Sequence, residues 1–155
     1  MNKTTDGVTN KNEPTDSTTD LIAAAIELDS LFLVAFNKGD AEAIMKLYWN
    51  SPELRVFPPG EMPLNGFDSV KAWYVKNFSS TKGAKLEYLS SNNVACNDGV
   101  IAHGAFKWTM PVEDGSLMTI FSSYAEFKAL KQNKMVIILD HSSMPISLAD
   151  STQTK

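Results

Sequence analysis

Ser122, Tyr124 and Glu126 stand two apart within a run of β-forming residues. Strand side chains alternate between faces, so these three share one face. The same rule puts Asp140 and Ser142 together on one face of a later run. If both faces point inward, Tyr124, Glu126 and Asp140 make a polar end to an apolar space. A carboxyl held away from water there has a raised pKa and becomes a general acid or base. The competing reading leaves Glu126 in solvent near Lys128 or Lys131, and it is the more economical of the two. Tyr124, Glu126 and Asp140 are the catalytic candidates, and they do not complete a known constellation.

Other reactive residue types offer less. His103 and His141 are the only histidines, on different strand-like runs, with no Cys or carboxylate motif beside them, so no metal site is expected. His141 follows Asp140 and should face away from any pocket, toward an interface between copies. Cys96 is the only cysteine, which excludes an internal disulfide and fits a reducing, cytoplasmic setting. It is expected to be a small buried hydrophobe near a strand end. No Gly-rich phosphate loop, nucleophile elbow or other cofactor motif is present. A net charge of −4 without a dense basic cluster gives no reason to bind nucleic acid or an anionic membrane. The longest apolar run, Leu31–Phe36, is too short to span a bilayer. No basic-then-apolar leader opens the chain, so a secretory signal is not expected.

The 155 residues suit one domain. Residues 1–19 are nearly all polar and read as a flexible arm, 20–147 as the folded unit, and 148–155 as a flexible tail. Leu21, Ala25, Leu28, Phe32 and Ala35 recur at helical spacing, with Ile26, Leu31 and Phe36 widening the stripe. Ser17, Thr18 and Asp20 supply capping chemistry at its start. Gly39 ends this helix, and Asp40 caps a second whose apolar side includes Ile44, Leu47 and Tyr48. A short strand, Leu54–Phe57, runs into Pro58-Pro59-Gly60, and Asn65-Gly66 opens a third helix carrying Phe67, Val70, Trp73 or Tyr74, and Phe78. Four strands follow in a meander, turned at Asn97-Asp98-Gly99, at Glu113–Ser116 and at Gln132-Asn133-Lys134. Helices followed by strands argue for an α+β domain. Gly104, mid-strand, marks a bend or a close approach.

A bent sheet under short helices leaves a concave space. The rings available to line it are Tyr48, Trp49, Phe57, Trp73, Tyr74, Phe78, Phe106, Trp108, Phe121 and Tyr124. They exceed the needs of a small two-layer core, so a ligand cavity or a dimer interface is expected.

Two segments, AFNKGDAEAIMKLYWNSPELRVFPPG and NGFDSVKAWYVKNF, together with the C-terminal MVIILDHSSMP, resemble SnoaL-like and ketosteroid isomerase-like proteins of the nuclear transport factor 2-like superfamily. The resemblance runs from about Asp20 to Pro145, through order and spacing. It implies a cone-shaped, cystatin-like fold, with three N-terminal helices packed on a strongly curved, mostly antiparallel sheet. It also implies a pocket between the layers and homodimerisation through the outer sheet face. Ketosteroid isomerase chemistry uses a carboxylate base with a Tyr and a protonated Asp. The positions matching the base and the Tyr are Phe57 and Phe32, and the acid would lie near Tyr124, so that activity is not expected. In the resembling association domain of calcium/calmodulin-dependent kinase II, arginines stand where this chain has Glu126 and Ser142, so its anion site is lost.

The expected function is binding of a small apolar ligand by Tyr48, Phe57, Trp73, Trp108, Tyr124, Glu126, Asp140 and Ser142. Isomerase, cyclase or hydrolase chemistry is open to such a site. The alternative is a non-catalytic assembly or binding module.

Overall fold

The computed structural model describes residues 16–144. The expected tail lies outside the described residues, as does the expected arm up to residue 15. Helix α1, Asp16–Lys38, already includes Ser17, Thr18 and Asp20 in its opening turns. Ala25, Leu28, Phe32 and Ala35 are buried along one side, whereas Ile26 and Leu31 are exposed, so the apolar stripe is narrower than expected. Gly39 ends the helix with a positive φ of 68°. Its amide donates to the Phe36 carbonyl and that of Asp40 to the Ala35 carbonyl, closing the last turn.

Asp40 caps α2, Ala41–Met45, by accepting from the Ala43 amide at 2.9 Å, an interaction of about 1 kcal/mol. The helix stops before Leu47 and Tyr48, which sequence periodicity had assigned to it. There the chain straightens and exchanges hydrogen bonds with Ile137 through the Leu47 carbonyl and the Trp49 amide. Sheet pairing wins over helical propensity, and Tyr48 is buried as a result. Strands β1, Arg55–Phe57, and β2, Leu64–Asn65, come next, then α3, Phe67–Ser80. Gly66 precedes α3 at φ 84°, a conformation a side chain would strain.

Strands β3, Lys85–Cys96, β4, Gly99–Pro111, β5, Leu117–Lys131, and β6, Lys134–Ser143, form the meander. The six-stranded sheet has the order β2-β1-β6-β5-β4-β3, with only β1 and β6 parallel. Asn97 and Asp98 make the two-residue turn between β3 and β4. Gln132 and Asn133, both at positive φ, make the one between β5 and β6. Cys96 sits at the end of β3 but is exposed, which corrects the expectation of a buried thiol.

The sheet bends where the pairing slips. Leu89 is an extra residue in β3, bulged between the pairs Tyr88–Phe106 and Ser90–Ala105. Gly104 lies beside it, and a Cβ there would sit 2.0 Å from the Ser90 carbonyl oxygen. A second bulge, at Ile138 in β6, lies between the pairs Phe127–Leu139 and Lys128–Ile137, and Lys128, two residues after Glu126 in β5, is buried on the same face. α1 packs across β3, β4 and β6, and a mouth stays open beside α3. Among the described residues, no helix is long and apolar enough to cross a membrane.

Candidate functional site

The cavity lies between α3, the inner sheet face and the Phe32–Phe36 stretch of α1. Its wall is mostly rings: Phe32, Phe36, Phe57, Trp73, Tyr74, Phe78, Tyr88, Phe106, Trp108 and Tyr124. Neighbouring rings meet at angles that lock the wall, as for Phe36 on Phe78, with centroids 5.2 Å apart and planes at 85°. Glu126, Asp140 and Ser142 complete the wall at the β5–β6 end.

Strand alternation therefore brings Tyr124, Glu126, Asp140 and Ser142 together as expected. Glu126 is only 6% exposed, which overturns its reading as a solvated strand residue. Phe57, Trp73 and Trp108 also reach the wall. Phe32 and Phe57 occupy it as rings, leaving no base or phenol at those positions. Tyr48 is not part of the wall but stands behind it. Two further rings lie elsewhere. Phe121 faces out from the opposite side of the sheet, 55% exposed, because it alternates with Ser122. Trp49 lies outside under the Lys131 ammonium, 4.7 Å from its ring centre. His103 and His141 are exposed, and His141 packs on the Phe57 ring.

The carboxyl end is built as a network. The Tyr48 hydroxyl donates to Asp140 Oδ2 at 2.6 Å. That uses Tyr48's one proton, so the Tyr74 hydroxyl, 2.9 Å away, donates to Tyr48. Burial pushes both phenols well above their usual range, and Asp140 beside them adds to it, so both stay donors. Glu126 and Asp140 are direct partners across β5 and β6. Burial, then the nearby Asp140, pushes the Glu126 carboxyl up to about 8, against the attraction of Lys128. Burial also raises Asp140, opposed chiefly by the Tyr48 hydrogen bond. At neutral pH the pair thus combines a proton-bearing Glu126 with an Asp140 that Tyr48 favours as the carboxylate.

Two members of this network escaped the sequence reading. Lys128, fully buried, donates to Asp29 Oδ1 of α1 and lies 3.2 Å from Glu126 Oε2. Asp29 falls within the buried stripe between Leu28 and Phe32, and Lys128 continues the Tyr124–Glu126 alternation. A charged residue on each apolar face was the available signal. Asp29 and Glu126 share one ammonium while Asp140 lies beside Glu126, so a proton is kept cheaply among the three carboxyls.

Trp108 Nε1 is buried in the wall without a hydrogen bond, whereas the Tyr124 hydroxyl has Ser91 near it and Glu126 Oε2 has the Lys128 ammonium at 3.2 Å. Burial pushes the Tyr124 phenol up to about 12, with Ser91 drawing it down. Among the described residues, no group of three His, Cys, Asp or Glu side chains is placed to hold a metal ion.

No family model matches the sequence, and no curated protein matches it. Solved structures do match. A nuclear transport factor 2-like superfamily protein from Salmonella enterica superposes with a TM-score of 0.77, at 15% identity, over 88% of this chain and 99% of its own. The chain has the nuclear transport factor 2-like, cystatin-like fold. A candidate dehydratase of that family from Streptomyces avermitilis matches with a TM-score of 0.73, at 13% identity, over 86% of this chain and all 100% of its own. A candidate calcium/calmodulin-dependent protein kinase II association domain from Xanthomonas campestris matches with a TM-score of 0.70, at 16% identity, over 80% of this chain and 87% of its own. The fold expected from the sequence is thus the fold observed. These neighbours carry names from both enzyme and assembly classes, so the nuclear transport factor 2-like fold leaves function to the site.

Proposed function

We propose that this chain is a SnoaL-like protein that binds a small, largely apolar organic molecule in the aromatic cavity and moves a proton on it. The observation that carries this reading is the Glu126–Asp140 pair, buried side by side in the cavity wall. Glu126 is the proton donor. Asp140, oriented by Tyr48, is the base. Such a pair suits isomerase, cyclase or hydrolase chemistry, in which one group takes a proton as the other gives one. Tyr124 anchors the polar atom of the ligand. A screen of small aromatic ketones and lactones by thermal shift is the direct test, and a panel that leaves the melting temperature unmoved argues against the site. Tyr124→Phe and Glu126→Gln should each keep the fold, seen by circular dichroism, and weaken a bound hit about tenfold.

A purely structural assembly role has less support, because the cavity is not filled by the chain's own side chains. Association with a second copy is compatible with catalysis and has its own surface. Ile101, Phe127 and Leu139 form a row across the outer face of β4, β5 and β6, next to His103, Ala125 and His141, with Phe121 farther along β5. Ile101, Phe121 and Leu139 are exposed. Lys107 on this face is paired with Glu87 at 2.9 Å, so the face can meet its own copy without like-charge repulsion. A homodimer through this face is expected by sedimentation equilibrium. Phe121→Glu should raise its dissociation constant about 100-fold or more, and unchanged association would remove the outer face as the interface.

A further inference from the structure

Two hollows in the surface share no residue with the aromatic cavity. One lies between α1 and α2, over Leu31, Val34 and Leu47. The other lies between α2, the start of α3 and the β5–β6 turn, over Met45, Trp49 and Phe67. They meet at Lys46 and Lys134, which line both, and the Lys134 ammonium donates to the Lys46 carbonyl at 2.6 Å. Lys38 borders the first hollow, and Lys71 and Lys131 border the second. The fold thus gathers into one groove five lysines that the sequence scatters from 38 to 134. Two lining carboxylates oppose them, and both are engaged: Asp40 caps α2, and Glu42 pairs with Lys71 at 2.7 Å. Lys131 lies over the Trp49 ring. An ammonium has three donors, so Lys71, Lys131 and Lys134 keep capacity for a further partner.

The floor of the groove is apolar. Leu31 and Val34 are 51% and 53% exposed, although they share a helix with the buried Leu28 and Phe32. An apolar floor under a cationic rim fits an occupant that carries carboxylates and apolar side chains together. A small anion does not suffice, because Lys38 and Lys71 border different hollows. A nucleic acid or an anionic bilayer would extend past the groove over a chain of net charge −4. Residues 1–15 and 145–155 of this chain contain no acidic run: the first balance Asp6 and Glu13 against Lys3 and Lys11, and the second hold Asp150 and Lys155. We propose that the groove docks an acidic segment of a partner protein, with apolar side chains interspersed among its Asp and Glu residues. The carboxylates meet the lysine rim, and the apolar side chains cover Leu31, Val34 and Trp49.

Panning a phage library of random twelve-residue peptides against the immobilised full chain tests this. Selected sequences should be enriched in Asp and Glu interspersed with Leu, Phe or Trp. A selected peptide, made synthetically, should bind Lys46→Glu combined with Lys134→Glu about 100-fold more weakly than wild type. Leu31→Ser, a single change at an exposed position, should cost about tenfold and keeps the test standing if the double variant does not fold. Lys76→Glu combined with Lys82→Glu makes the same change in net charge on exposed residues outside the groove, and should cost no more than about twofold. Raising the salt from about 0.05 to about 0.5 M should weaken binding about tenfold. Sequences without acidic enrichment, or a peptide held equally by the groove variants and the control, overturn the proposal, as does a library that yields no binder. An oligonucleotide or a phosphatidylserine vesicle that displaces the peptide and binds more tightly overturns it in favour of that class. Self-association abolished by the groove variants overturns it in favour of a second copy.

Discussion

Lys128→Met should cost the protein about 3 to 5 kcal/mol of stability, the largest effect expected of any single side chain here. The Lys128 side chain is wholly buried, and its ammonium meets Asp29 and Glu126. Removing it leaves Asp29 with one oxygen, Oδ2, already unpaired and the other newly so. Among the described residues no other cation reaches Asp29. The reverse change is milder: Asp29→Asn leaves Lys128 with Glu126 as a replacement carboxylate, at a cost of about 1 to 2 kcal/mol. Asp29→Asn combined with Lys128→Met removes both charges and should recover much of the loss. Urea denaturation of the three variants gives the coupling energy directly. If the double variant is as unstable as the sum of its parts, the pair is not an isolated ion pair, and the loss comes from packing.

The layout of helices, hairpins and bend was legible because each has a local cause. Gly39 and Asp40 carry their own cap geometry, and Asn97-Asp98 its own turn, so nothing distant is needed to place them. The Tyr124–Glu126 and Asp140–Ser142 faces were legible for the same reason, since alternation fixes a face without fixing what lies beyond it. What lay beyond was not legible. The spacing of Tyr48 suits a helix, and only Ile137, 89 residues later, pulls it into the sheet. Whether Glu126 meets water or protein depends on α1, which brings Asp29 to Lys128 from 99 residues away. Phe121 stands apart from the lining rings because alternation with Ser122 sets it on the other face. Residue type predicts a buried Cys96, and type says little about a hairpin end.

The stability gap between Glu126→Gln and wild type should open as the pH rises from 4 to 8. In the unfolded chain the Glu126 carboxyl titrates at its ordinary value of 4.5, and in the folded chain burial beside Asp140 pushes it up to about 8. Below about pH 4.5 both states hold the proton, and Glu126 costs folding nothing. Between these values the unfolded chain has released the proton while the folded chain keeps it, so stability falls with each rise in pH. Above about 8 both are ionised, and the loss is complete. Glutamine carries no such proton. Glu126→Gln should therefore match wild type near pH 4 and exceed it at pH 8. The separation sets a limit of about 5 kcal/mol, and about 2 to 3 kcal/mol is expected because the amide gives up the attraction of Lys128. Asp29 and Asp140 are raised in the same sense, so a residual downward slope should persist in the variant. Denaturation at pH 4, 6 and 8 measures the gap. Parallel stability curves for the two proteins would mean that Glu126 folds as an ordinary ionised carboxylate, and the proton donor of the proposed chemistry would be gone with it.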